Sequence, residues 1–130
     1  ADDKALVAAQ MNAAIGKAQS ADFRAFILAA DKRQRDALER ELALVVELEL
    51  RDAADSRPSV PLADVKRIMA LAAAKRAEIY AQLDRERESW LNDPKQRQRE
   101  RIDDILLAYA SARSEWARFV KDTLGVTDER

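Results

Sequence analysis

The stretch "RAFILAADKRQRDAL" (residues 24–38) decides the fold because it allows two interpretations. Its large apolar residues end at Leu28, two alanines follow, and Asp31 opens a run of charged residues. Aspartate is a good N-cap, so Asp31 favours the start of a second helix. The same residues are also compatible with one helix that passes straight through. The first interpretation gives four helices with both termini at one end, and the second gives three helices with the termini at opposite ends.

The composition predicts an all-α protein. The chain has 130 residues, which is enough for one domain with its own core. Charged residues make up 36% and aromatic residues 5%, with two glycines and three prolines. Helix-forming residues dominate, and the turn and β-branched residues that sheets need are scarce. We therefore expect one domain, residues 1–130, folded as an antiparallel up-down bundle of long helices.

Proline signals divide the chain at two further places. The two prolines of "DSRPSVP" (55–61) cannot continue a helix. In "NDP" (92–94), Asn92 or Asp93 can cap a helix whose first turn holds Pro94. Gly125 is expected to end the last helix. We favour four helices, at about 3–30, 32–55, 62–91 and 94–123, and expect three if the first helix is continuous.

Each predicted helix has an apolar face on which residues recur at spacings of three and four. The segment "ALVVELEL" (43–50) is apolar on more than one side, so we expect it deep in the bundle or against a second subunit. In the first helix the apolar residues are Leu6, Val7, Met11, Ile15, Phe23, Phe26 and Ile27. In the third and fourth predicted helices they are Val65, Ile68, Met69, Ala72, Ile79, Leu83, Trp90, Ile102, Ile105, Leu106, Tyr109, Ala112, Trp116, Phe119 and Val120.

The residue types exclude most catalytic chemistry. The chain has no His and no Cys, which removes the commonest general acid–base group, the thiol nucleophile and the usual zinc ligands. Two isolated glycines cannot form a phosphate-binding loop. Carboxylates could still bind a hard cation, for example around Glu47 and Glu49 or around Asp103 and Asp104. Neighbouring acidic residues on a helix point to different faces, however, so we expect these pairs to be solvated surface. We predict a protein that is not an enzyme and that has no catalytic residue, cofactor or metal.

The charge balance argues against nucleic acid and membrane surfaces as partners. The formal net charge is −1, from 23 basic and 24 acidic residues that are mixed along the chain. This balance supplies no general attraction to phosphate backbones or anionic lipids. No apolar run reaches 18 residues, so any membrane attachment is expected only through segments outside this chain.

Three residues are candidates for binding a ligand inside the bundle. Arg76 falls on the apolar face of the third predicted helix, where it could pair with a carboxylate of a ligand. Its simpler interpretation is an ion pair with a helix acid, or a side chain that extends out to water. Tyr109 and Trp116 could line a pocket, although aromatic residues at helical spacing usually belong to the core.

Three segments resemble the CHASE3 family of sensor domains. The segment "RAFILAAD" (24–31), which follows "AIGKAQSADF", is similar to the signature of that family. The segment "DSRPSVPLADVKRIMALAAAKRAEI" (55–79) is similar to the loop and third helix of the family, and "RERIDDILLAYASARSEW" (99–116) is similar to its closing helix. CHASE3 domains are extracytoplasmic four-helix bundles of bacterial histidine kinases, diguanylate cyclases and chemoreceptors. The resemblance implies that Asp31 caps the second helix. It also implies that Arg24 holds the corner before it through backbone carbonyls, or contacts a ligand.

Two functions follow as expectations. The first is a non-catalytic sensory or ligand-input domain of a bacterial signalling protein, located in the periplasm or elsewhere outside the cytoplasm. It would form a homodimer, bind a small molecule or a protein, and signal through a small shift of packed helices. The second is a free-standing helical adaptor or chaperone-like protein that binds a partner helix, for which a cytoplasmic location is equally suitable.

Overall fold

The computed structural model describes residues 2–56 and 62–124, and the side chains of residues 3–43 and 64–123. The helices are α1 (Asp2–Ser56), α2 (Leu62–Leu91) and α3 (Gln98–Phe119), and α3 continues as a π-helical turn at Val120–Leu124. The described residues contain no strand, so the all-α prediction is confirmed. The prolines of the α1–α2 connection, the end predicted at Gly125 and the side chains of most of "ALVVELEL" lie outside the described part.

The predicted helix boundary at Asp31 is wrong, because α1 passes through "RAFILAADKRQRDAL" without a break. The Asp31 carboxylate caps no helix. It accepts a hydrogen bond from the Tyr109 hydroxyl of α3 at 2.6 Å. Ile27, Ala30 and Leu38 are buried on the same face of α1, so a continuous helix keeps that face against its neighbours. The helices predicted at 3–30 and 32–55 are therefore one, and the described residues form three α-helices.

Polar contacts between the helices fix their relative directions. In the ion pairs between α1 and α2, the residue with the higher number in α1 pairs with the residue with the lower number in α2, so the two helices run in opposite directions. In the polar pairs between α1 and α3, higher numbers pair with higher numbers, so these two helices run in the same direction. The start of α1 and the end of α3 therefore lie at opposite ends of the molecule, and not together as four helices would require. The pairs are Asp31–Arg87 and Arg35–Asp84 between α1 and α2, and Asp31–Tyr109 and Glu41–Arg113 between α1 and α3.

The last helix begins four residues later than its predicted range of 94–123. The buried Asp93 carboxylate accepts hydrogen bonds from the backbone N–H groups of Lys95 at 3.0 Å and Arg97 at 3.1 Å, which closes a turn before α3. Gln96 has a φ of 50°, in the left-handed region that a right-handed helix cannot contain. The turn therefore delays the helix that Asp93 was predicted to cap.

The core lies between the three helices and begins on α1 at Phe23. Within the bundle, three residues of the predicted apolar faces are exposed instead: Phe26, Met69 and Leu106. Three helices bury a narrower part of each apolar face than four would. The buried apolar residues are Phe23, Ile27, Ala30, Leu38, Leu42, Ile68, Ala72, Ile79, Leu83, Trp90, Ile105, Ala108, Tyr109, Ala112, Trp116 and Val120.

Candidate interaction surface

Helix α1 extends beyond the bundle by about 20 residues. The connection between α2 and α3 meets α1 at Ser20, whose hydroxyl accepts a hydrogen bond from the side-chain amide of Gln96 at 2.6 Å. Residues 3–22 are all exposed, and Phe23 is the first buried residue of α1. We call residues 3–22 the arm. At 1.5 Å per residue the arm is about 30 Å long.

Large apolar side chains of the arm are open to water. The exposed fractions are 58% for Leu6, 51% for Val7, 60% for Met11 and 51% for Ile15. The sequence pattern predicted these residues as the start of a buried face, and within the described residues that prediction is wrong. Val7, Met11 and Ile15 follow one another at intervals of four and form one row, which we call the stripe. A contiguous exposed apolar surface is a feature that interaction sites commonly have.

The stripe faces away from the side of α1 that enters the bundle. A helix of 3.6 residues per turn rotates by about 100° per residue, so Met11 and Ile27, sixteen residues apart, point about 160° apart. Ile27 is fully buried against the other helices. A partner on the stripe therefore approaches from the side of α1 opposite to α2 and α3. The sequence held a sign of this change of direction. A row of residues spaced by four shifts around the helix by about 40° at each step, so it does not stay on one face along a long helix.

Apart from the stripe, the structure contains a cluster of polar residues between the helices, around Asp31. Asp31 is only 2% exposed, and its carboxylate lies 3.5 Å from Arg87 Nη1 and 3.8 Å from Arg35 Nε. Arg35 Nη2 in turn contacts Asp84 Oδ1 at 2.6 Å. Two guanidinium groups and two carboxylates balance each other, and Tyr109 adds the short bond to Asp31. These contacts join residues of all three helices, so the cluster acts as a link between them.

The two tyrosines near this cluster differ in their hydrogen bonds. The Tyr109 hydroxyl is bonded to Asp31, and burial together with that bond raises the pKa of Tyr109. Burial raises the pKa of Tyr80 to about 12, but its hydroxyl has no hydrogen-bond partner among the described residues. The Tyr80 ring lies under the Arg35 guanidinium, 5.2 Å from ring centroid to Cζ. A cation–π contact of this kind needs the ring and not the hydroxyl.

The residues predicted to bind a ligand do not form one site. Arg24 and Arg76 are exposed, and Arg76 does not face the bundle interior. The Arg35–Asp84 pair sets Arg76 near residue 43 of α1, which is about 29 Å along the helix from Arg24. Tyr109 and Trp116 are buried in the core, as the simpler interpretation of these aromatics expects. Trp116 packs on Phe119 with their ring centroids 5.2 Å apart.

Other kinds of site find no support in the described part of the chain. Among the described side chains, those of residues 3–43 and 64–123, there is no cluster of three acidic groups that could hold a metal ion. No helix there has an apolar segment long enough to cross a membrane. No family model, curated protein or solved structure matches the chain. The exposed stripe is thus the feature of the structure that most clearly points to a function.

Proposed function

We propose that the chain is a non-catalytic interaction protein that binds a partner helix through the stripe. In this proposal the three helices form an antiparallel up-down bundle, which holds α1 in place and projects the arm into solvent. The exposure of Val7, Met11 and Ile15 in one row along the arm is the observation that carries the proposal. Rows of apolar residues at helical spacing are the anchors by which one amphipathic helix binds another.

The energetics of the arm support this proposal. A helix of about 20 residues in water is only marginally stable by itself, and most helices gain stability by packing an apolar face. The first 20 residues of α1 have no such packing within the described chain. Covering the side chains of Met11 and Ile15 would stabilise a complex by about 1.5–3 kcal/mol for each side chain fully buried. The arm therefore gains both order and stability when a partner covers the stripe.

Site-specific photo-crosslinking in the cells that make the protein tests the proposal. A photoreactive amino acid at Met11 or Ile15 lies on the stripe, and the same amino acid at Ala9 or Ala13 lies on the opposite side of the arm. Both pairs have the same spacing and lie in the same part of α1. We expect covalent adducts from the first pair and not from the second. Adducts from neither pair, or equally from both, would contradict the proposal.

A sensory input function is the second candidate, and one observation favours it. Helix α1 runs unbroken for 55 residues from the arm through the bundle. A rigid helix of this length carries a small rotation or shift from one end to the other, as a signalling domain outside the cytoplasm would require. The separated ends of α1 and α3 argue against the four-helix form of this function. The complete gene tests it, since a sensor of this kind needs an apolar membrane-spanning segment in the rest of the protein.

A further inference from the structure

We infer that the stripe binds the stripe of a second copy of this chain, with the two arms antiparallel and the midpoint of their pairing at the height of residue 13 along the helix axis. This inference rests on the proposed function, because it names the partner for the same surface. It follows from the side of the arm on which the charged residues lie, and from the direction in which the bundle leaves the arm.

The side of the arm that bears the stripe also carries one charge of each sign, beyond the two ends of the stripe. Lys4 and Asp22 are eighteen residues apart, which is five helical turns, so they lie on the same side of α1. Met11 lies within about 20° of both around the helix axis. Both charged side chains are exposed, and neither takes part in an ion pair between described residues. The same surface therefore offers a cation at one end, apolar groups in the middle and an anion at the other end.

Such a surface is complementary to itself when it is reversed. In an antiparallel pair whose midpoint lies at the height of residue 13, Lys4 of each copy faces Asp22 of the other, and Met11 of each copy faces Ile15 of the other. A parallel pair would instead place Lys4 against Lys4 and Asp22 against Asp22, and like charges at these positions are unfavourable. The distribution of charge thus selects the antiparallel arrangement.

The fold leaves room for this arrangement. The stripe points about 160° away from the buried face at Ile27, so each bundle lies on the outer side of its own arm. The second arm ends just past Asp22, next to Ala25, which is exposed on the same side of α1. The two bundles would lie at opposite ends of the paired arms. The paired length would be about 30 Å.

Sedimentation of the purified chain tests self-association. We expect a dimer at micromolar concentration for the native chain. The double variant Met11→Glu, Ile15→Glu should raise the dissociation constant more than about a hundredfold, since it removes four buried apolar side chains from each dimer. The matched control Ala9→Glu, Ala13→Glu adds the same charges at the same spacing on the opposite side, and should remain dimeric. Circular dichroism checks that both variants keep the bundle.

Cysteine crosslinking tests the direction of pairing. The native chain has no Cys, so only the introduced cysteines can form disulfides. A mixture of the Lys4→Cys and Asp22→Cys variants should form a disulfide between the two chains. Each variant alone should not, because its two cysteines lie about 27 Å apart along an antiparallel pair. The charge reversal Lys4→Asp should weaken the dimer about tenfold, and adding Asp22→Lys should restore it.

The outcomes separate this inference from the proposed function. A native chain that stays monomeric overturns self-pairing. So do disulfides formed by each cysteine variant alone, which would indicate parallel arms. In either case, adducts formed from Met11 and Ile15 in cells would show that the stripe binds a different partner. Only the absence of specific adducts in that photo-crosslinking experiment would also contradict the proposed function.

Discussion

Replacing Tyr109 with phenylalanine tests whether the polar cluster around Asp31 holds the bundle together. The change removes one hydroxyl and leaves the aromatic ring, so the packing of the core is preserved. The hydroxyl is fully buried and donates a 2.6 Å hydrogen bond to a carboxylate that is itself 2% exposed. Without it, Asp31 keeps only the nitrogens of Arg87 at 3.5 Å and Arg35 at 3.8 Å, which are too long to replace the bond.

The expected loss of stability follows from these distances. A hydrogen bond to a charged group contributes about 1.5–3 kcal/mol, and here its loss also leaves a buried acceptor without its best donor. We expect Tyr109→Phe to lower the free energy of unfolding by about 2 kcal/mol. Urea unfolding followed by circular dichroism measures this loss. For a slope of about 2 kcal/mol per molar urea, the midpoint should fall by about 1 M.

The chain contains its own control for this measurement. Tyr80→Phe removes the same hydroxyl from a position where it has no hydrogen-bond partner among the described residues, and it keeps the ring under Arg35. That variant loses no hydrogen bond and removes a buried hydroxyl without a partner, so its free energy of unfolding should be unchanged or higher than that of the native chain. Equal losses in the two variants, or a loss below about 0.5 kcal/mol for Tyr109→Phe, would refute the role given to the cluster.

Three further changes test other parts of the structure. Gly16 has open space around it, so Gly16→Ala should stabilise the arm helix by about 0.5–1 kcal/mol and slow hydrogen exchange there; unchanged exchange would contradict this. Burial alone would raise the pKa of Asp93, but hydrogen bonds from Arg97 and Lys95 outweigh it and hold that pKa below the usual value. The Asp93 carboxylate therefore stabilises the fold at neutral pH, and this stabilisation is lost as acid protonates the folded carboxyl. Urea unfolding should therefore find Asp93→Asn less stable than the native chain at about pH 7, and this difference should shrink as the pH falls through the folded pKa; a difference that stays constant in acid would argue against this. Arg113→Gln breaks an exposed ion pair with Glu41 and should change the free energy of unfolding by less than about 0.5 kcal/mol, so a loss above about 1 kcal/mol would show that the pair matters more than its exposure suggests.

The helices and much of the core could be predicted from the sequence because they depend on local rules. Ile79, Leu83 and Ile105 were predicted from their spacing and are buried. Met69 and Leu106 fit the same spacing and are exposed. Periodicity identifies the apolar side of a helix, but the width of the buried part depends on how many neighbours pack against it, which no local pattern contains.

The role of Asp31 and the exposure of the arm could not be predicted in the same way. An aspartate that caps a helix and one that accepts a bond from a distant hydroxyl look alike in sequence, and the donor here is 78 residues away. Similarly, the row of Val7, Met11 and Ile15 indicates an apolar face without indicating what covers it. Both features depend on contacts between distant parts of the chain or between chains.

The bond between Asp31 and Tyr109 also determines how α3 is aligned along α1. Four of the buried core residues are alanines (Ala30, Ala72, Ala108 and Ala112), and smooth surfaces of this kind can slide past one another with little loss of fit. A slip of one helical turn would move Tyr109 by about 5.4 Å and leave Asp31 buried without its hydroxyl donor, at a cost of about 1–3 kcal/mol. The bond between Asp31 and Tyr109 therefore adds this cost to any slipped alignment of α3 along α1, beyond what the apolar packing imposes.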